Sequence, residues 1–235
     1  MPLKRRFYKR RYTRRRSTLS TRNIYSNRSA RSQAYQIAAL KRRINYVSRQ
    51  CKPEVKVLTG DVITDTLNSP TSYGKIKVLP PAQGTGENER VGNAWNVKNG
   101  SFKILFNKNI AVSSQTIQDN SLSYRVIIVQ TVSPTDSSNA VPDISDLLVA
   151  TTDSNQCLVS PFKDGITAKY RILRDVKGSS FANEKLLNIR YYPFKHEELD
   201  PSGYNRMTYI YVFATASSQH VVLLTATNRY VFTDA

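Results

Sequence analysis

Seventeen lysines and arginines, and no aspartate or glutamate, precede Glu54. The remaining 183 residues hold eighteen basic side chains against all seventeen acidic ones, so nearly all of the chain's net charge of +18 sits in its first 52 residues. A segment with that much unopposed charge and few large aliphatic side chains cannot bury enough apolar area to offset the entropy of ordering it. The chain therefore divides into an arm, residues 1–31, expected to be disordered alone; an amphipathic segment, 32–52; and a body, 53–235. The body is long enough for one sizeable core.

The arm includes KRRFYKRRYTRRR, residues 4–16, in which nine of thirteen positions are basic and three of the others aromatic. Lysine and arginine attract phosphate by Coulomb force and counterion release, without reading sequence. Arginine also forks onto phosphate oxygens and lies flat on bases. Phe7, Tyr8 and Tyr12 interleave with these charges, and an aromatic face stacked on an unpaired base contributes ~1–3 kcal/mol whatever the base. Single strands fit this mixture better than a duplex, whose bases are already stacked. The candidate nucleic-acid-binding residues are Lys4, Arg5, Arg6, Phe7, Tyr8, Lys9, Arg10, Arg11, Tyr12, Arg14, Arg15, Arg16, Arg22, Arg28 and Arg31, followed by Arg42, Arg43 and Arg49. A nuclear localisation signal needs far fewer charges, though the run can serve as one and so engage nuclear import receptors. The tail of a ribosomal or chromatin protein usually continues its basicity onto the globular surface, whereas this body is nearly neutral.

Between Ser32 and Gln50, Ile37, Leu40, Ile44 and Val47 recur at spacings of three, four and three, one stripe of a helix. Ser32 is the expected N-cap, and Pro53 forces Lys52 out of helical geometry. Two heptads are too few for a helix stable alone in water. The stripe must pack on the body or on copies of itself, and a narrow seam favours copies. The four residues are thus candidate subunit contacts.

From Glu54 the period becomes two. Val55 and Val57 alternate with Lys56; Ile76 and Val78 with Lys75 and Lys77; Phe102, Ile104 and Phe106 with Lys103 and Leu105. Further strands are expected over 122–132, 167–176, 185–192, 207–216, 220–225 and 229–233, with turn-rich segments between them and one short helix within 143–151. About nine strands without alternating helices predict an all-β body, a single β-sandwich.

Catalytic chemistry finds little support. His196 lies in a charged stretch with Glu197 and Glu198, more consistent with a solvated loop than a metal site, and His220 reads as a structural strand residue. The segment GTGENERVG, residues 84–92, fails the dinucleotide pattern because Glu89 stands where a third glycine is needed, and its glutamates would repel phosphate. Cys51 and Cys157 have no metal-type spacing and are expected as free thiols. No stretch approaches the ~18 apolar residues of a membrane span and no apolar leader heads the chain, so a soluble protein with no membrane partner is expected. The expectation is a protein that is not an enzyme.

Three segments carry a likeness: QGTGENERVGNAW with Gln83, Gly84, Asn88, Arg90 and Gly92; YRILRDVK, Tyr170 to Lys177; and RYVFTDA, Arg229 to Ala235. Together with the arm and helix before them, they resemble the capsid proteins of the smallest icosahedral viruses, of the satellite tobacco necrosis virus type and its relatives among small circular single-stranded DNA viruses. The resemblance implies a single eight-stranded jelly roll and a closed T=1 icosahedral shell of about sixty copies. It further implies an arm turned inward onto the genome and helices clustered at the threefold axes. Circular DNA is favoured over RNA because a Tyr- and Arg-rich opening is typical of the DNA group. Relatives of the satellite type also bind calcium between subunits through a carboxylate beside the C-terminus, a position matched here by Asp234; no other cofactor is implied. Seventeen charges in each of about sixty copies would neutralise on the order of a thousand nucleotides.

The expectation is therefore a viral coat protein that self-assembles and packages single-stranded nucleic acid, located in the virion and in the host nucleus during assembly. The competing reading is a cellular nucleic-acid-binding protein with a basic tail that acts as a monomer.

Overall fold

The computed structural model describes residues 29–50, 53–69, 71–110, 121–136, 140–182, 184–215 and 220–235. Cα packing separates two units, 1–52 and 53–235. In the first, helix α1 spans Ala30–Gln50. Its cap is Ser29 rather than Ser32: the Ser29 Oγ accepts the Ser32 N–H at 3.2 Å, the usual bond from an N-cap to the third helical amide. The helix starts three residues earlier than a Ser32 cap would allow, and Arg31 belongs to it rather than to the arm. Ile37, Leu40, Ile44 and Val47 are 45–65% exposed.

The body is built from ten strands: β1 (Lys56–Thr59), β2 (Ile63–Leu67), β3 (Gly74–Val78), β4 (Ala94–Ile110), β5 (Leu122–Thr131), β6 (Tyr170–Ser180), β7 (Glu184–Tyr191), β8 (His196–Glu198), β9 (Thr208–Ala214) and β10 (His220–Asp234). They form two antiparallel sheets. The first runs β1-β10-β4-β7, the second β3-β9-β5-β6. Strand β4 pairs with β10 along its length, so β1 and β2 lie end to end on the other edge of β10. In the same way β7 and β8 share the far edge of β4.

Alternation explains which residues meet between the sheets. Phe102, Ile104 and Phe106 of β4, Val222, Leu224 and Phe232 of β10, and Val126, Ile128, Ile210 and Val212 of the second sheet form one core. In β5 and β9 the intervening residues are buried too, which is why their sequences read as near-continuous apolar runs. Ile127, Val129, Tyr209, Tyr211 and Phe213 pack outward against a strap, residues 141–169, that contributes Ile144, Leu147, Leu148, Cys157 and Ile166. The strap contains helix α2 (Ser154–Val159), capped by Asp153, whose carboxylate accepts the Gln156 N–H at 2.7 Å.

Arg125 of β5 holds the strap down. Its guanidinium forks onto Asp175 of β6 at 2.8 and 2.9 Å, and its remaining terminal nitrogen donates to the carbonyls of Cys157 and Ser160, each at 2.7 Å. The Arg125 side chain is 1% exposed, so all four bonds lie in a water-poor setting.

Several local expectations change. The two C-terminal segments are one strand, β10, while β2 and β8 are additional. The helix expected within 143–151 is a three-residue 3-10 turn, Ile144–Asp146; Leu148 bridges to Phe162 and the chain cannot continue helically. At the first strand the phase is reversed, with Lys56 buried and Val55 exposed.

Candidate nucleic-acid interface

Helix α1 has two faces of different chemistry. Positions 37, 40, 44 and 47 form the apolar stripe, while Arg31, Tyr35, Arg42, Tyr46 and Arg49 fall at i, i+4, i+11, i+15 and i+18, a second stripe that alternates arginine and tyrosine. Basic and aromatic groups interleave here as they do in the arm, a match that emerges when the helix is followed by periodicity instead of by its apolar residues alone. Arg31, Arg42, Tyr35 and Tyr46 are exposed. Arg43 is exposed and lies between the two stripes. The predicted arm residues from Lys4 to Arg28, Cys51, and the side chain of Arg49 lie outside the described residues.

Asp234 is part of a latch at the end of β10. One of its oxygens is 2.9 Å from the Lys56 ammonium and the other accepts the Val91 N–H at 2.9 Å. Partial burial pushes this carboxyl up, but the Lys56 ammonium and the Val91 N–H outweigh it and hold the group below the usual carboxylate range. Lys56 also donates to the Glu89 carbonyl at 2.7 Å. This explains the reversed phase of β1: a buried lysine needs partners, and they arrive from the C-terminus and from the 83–92 loop. A calcium ion at Asp234 would have to displace Lys56. Among the described residues, no three His, Cys, Asp or Glu side chains are grouped as a metal would require.

The glycine-rich loop is organised around its own side chains. The Gly86 N–H donates to the Glu89 carboxylate at 2.8 Å, and a Cβ at Gly84 would stand 1.9 Å from that carboxylate. Gly84 is thus needed so that Glu89 can fold back over the loop. Arg90 is buried, donates to the carbonyls of Pro81 and Gly92, and lies over the Trp95 ring at 5.1 Å. Burial lowers its guanidinium pKa. The loop's cation is already engaged in holding the sheet end.

The residues considered for catalysis are dispersed. His196 and Glu198 are exposed, with His196 Nδ1 3.2 Å from the Asn96 side-chain oxygen. The stretch they occupy is strand β8, not a loop, and its alternation turns Glu197 inward to 1% exposure. Gln130 Nε2 donates to Glu197 at 2.7 Å and Arg206 approaches at 3.5 Å. Burial raises the Glu197 carboxyl to about 7. Cys157 is a free, buried thiol, pushed up by desolvation. No described helix is long and apolar enough to cross a membrane.

Compared with known proteins, the chain matches no family model and no curated protein at a significant level. The functional reading rests on the residues and the fold.

Proposed function

We propose that this chain is the coat protein of a small icosahedral virus, which assembles into a closed shell of about sixty copies and packages a single-stranded genome, DNA in preference to RNA, through its basic N-terminal segment. The observation that carries the reading is the strand order joined to the charge partition. Taking β1 with β2 and β7 with β8, the body has eight strand segments in chain order. Segments one, eight, three and six make one sheet, and two, seven, four and five the other. We read that interleaving as a jelly roll, the sandwich used by many viral shells.

A nearly neutral body suits subunits that crowd together, and an acid-free arm suits a concentrated polyanion inside them. Helix α1 supports both tasks, with an apolar stripe for neighbouring copies and an arginine and tyrosine stripe for the genome. The mechanism is condensation, not catalysis. Sedimentation of the purified full-length chain, with and without an oligo-dT strand, tests the proposal. Fast-sedimenting particles are expected; a species that stays at 26.7 kDa under both conditions would favour the monomeric nucleic-acid-binding protein instead.

A further inference from the structure

Resting on the packaging reading, we propose that the body carries a nucleic-acid contact of its own: a cationic groove on the outer face of the first sheet that takes the phosphates of a single strand. Register places its charges. Thr59 of β1, Arg229 of β10, Ser101 of β4 and Arg190 of β7 are direct cross-strand partners and form one row across four strands. Arg229 and Arg190 are therefore two strand spacings apart, roughly 9–10 Å. Lys103 projects from the next row, between Thr227 and Asn188. These residues line a groove of about 580 Å³.

Tyr192, 53% exposed, lines both this groove and an adjoining depression of about 810 Å³ that carries Lys98, Arg171 and Lys195. In that depression the Arg171 guanidinium lies over the Phe194 ring at 4.7 Å. Six cations and no carboxylate line the two together. None of the six forms an ion pair among the described residues.

A body with a net charge of +1 thus has a patch in which cations stand unopposed. Four of its acids, Asp143, Asp146, Asp153 and Asp164, sit in the strap over the opposite sheet. Like charges held close on an open sheet repel and destabilise it, a cost that a bound polyanion would reverse. The chemistry favours nucleic acid over a protein partner. The groove floor is Asn99, Ser101, Asn188 and Thr227, hydroxyls and amides that donate to phosphate and sugar oxygens, and the apolar lining of the adjoining depression includes the aromatic rings of Tyr192 and Phe194. Tyr192, whose ring centroid is 6.0 Å from the Arg174 guanidinium and whose side chain is 53% exposed, supplies the aromatic surface on which an unpaired base stacks.

The test uses the full-length chain. Replacing Lys103, Arg190 and Arg229 by serine should lower the log-log salt slope of oligo-dT binding by about 2, at ~0.7 for each phosphate no longer neutralised. Replacing Lys163, Lys169 and Lys177, which removes the same charge elsewhere, should leave it unchanged. Equal losses in both triple variants, or none in either, would overturn the groove. In parallel, photo-crosslinking to an iododeoxyuridine-substituted strand should mark the tryptic peptide Tyr191–Lys195; adducts confined to residues 1–52 would also overturn it. If the groove variants lose particles while keeping the slope, the face is a subunit interface and the proposal fails. A wild-type chain whose binding ignores salt would instead defeat the packaging reading itself.

Discussion

Arg125→Met keeps most of the aliphatic stem of Arg125 and removes only its guanidinium. Three changes follow from the geometry. The fork to Asp175 is lost, the Cys157 and Ser160 carbonyls lose the donor they share, and Asp175, 23% exposed, turns to water. Leaving a buried acceptor unpaired costs ~1–3 kcal/mol, while the charge left on Asp175 meets water and falls short of the ~3–5 kcal/mol of a fully buried pair. The expected loss is about 3 kcal/mol, a large part of a typical domain's stability. For a domain of this length that is a fall in Tm of roughly 6–12 °C. A local readout separates strap release from general weakening. Cys157 belongs to the strap and is buried against the second sheet, so in a Cys51→Ser background its labelling by a thiol reagent should accelerate well before the melt. Asp175→Asn should also destabilise, and combining it with Arg125→Met should cost less than the two losses summed, because the substitutions break the same fork. A variant that melts within about 2 °C of wild type and labels no faster would refute the assignment of Arg125 as the strap's anchor.

Glu197 predicts a pH dependence. Its folded pKa of about 7 lies above the unfolded value of 4.5, so between these limits only the folded state keeps the proton. The penalty is absent below pH 4.5, grows through the interval and is complete above pH 7, at about 3 kcal/mol. Glu197→Gln should flatten this part of a pH series of thermal melts; an unchanged slope would mean that the carboxyl is ionised in the folded state. Replacing Leu40 and Ile44 by aspartate should abolish or strongly reduce particle formation while leaving the body's circular dichroism and melt unchanged. Normal particles from that variant would reduce helix α1 to a spacer.

The legible parts of the fold are those specified locally. Phe102, Ile104 and Phe106 declare their strand by alternation, and Ile37 to Val47 declare a helix by spacing. What was hidden depends on partners far along the chain. Val55 and Val57 look like the buried side of their strand, yet Lys56 takes that place because Asp234, 178 positions away, neutralises it. Glu197 sits among charged neighbours and reads as solvated, but one step of the β8 pleat turns it towards Gln130 and Arg206. Ile144, Leu147 and Leu148 are core residues, as their spacing suggests, while the strap's bridge to Phe162 replaces the expected helix. The groove cations are the clearest case: Lys103, Arg190 and Arg229 are spread over 127 positions and become neighbours only through the register of three strands. Counting charge along the chain assigns basicity to the arm alone; pairing the strands gives the body a basic face.

Whether this chain encloses a single-stranded genome is tested by expressing it in full, purifying particles and treating them with nucleases before and after disruption. Closed shells are expected, holding on the order of a thousand nucleotides of single-stranded nucleic acid, protected while the shell is intact and digested once it is opened. Subunits that remain monomeric, or particles whose nucleic acid is digested without disruption, would contradict the packaging reading.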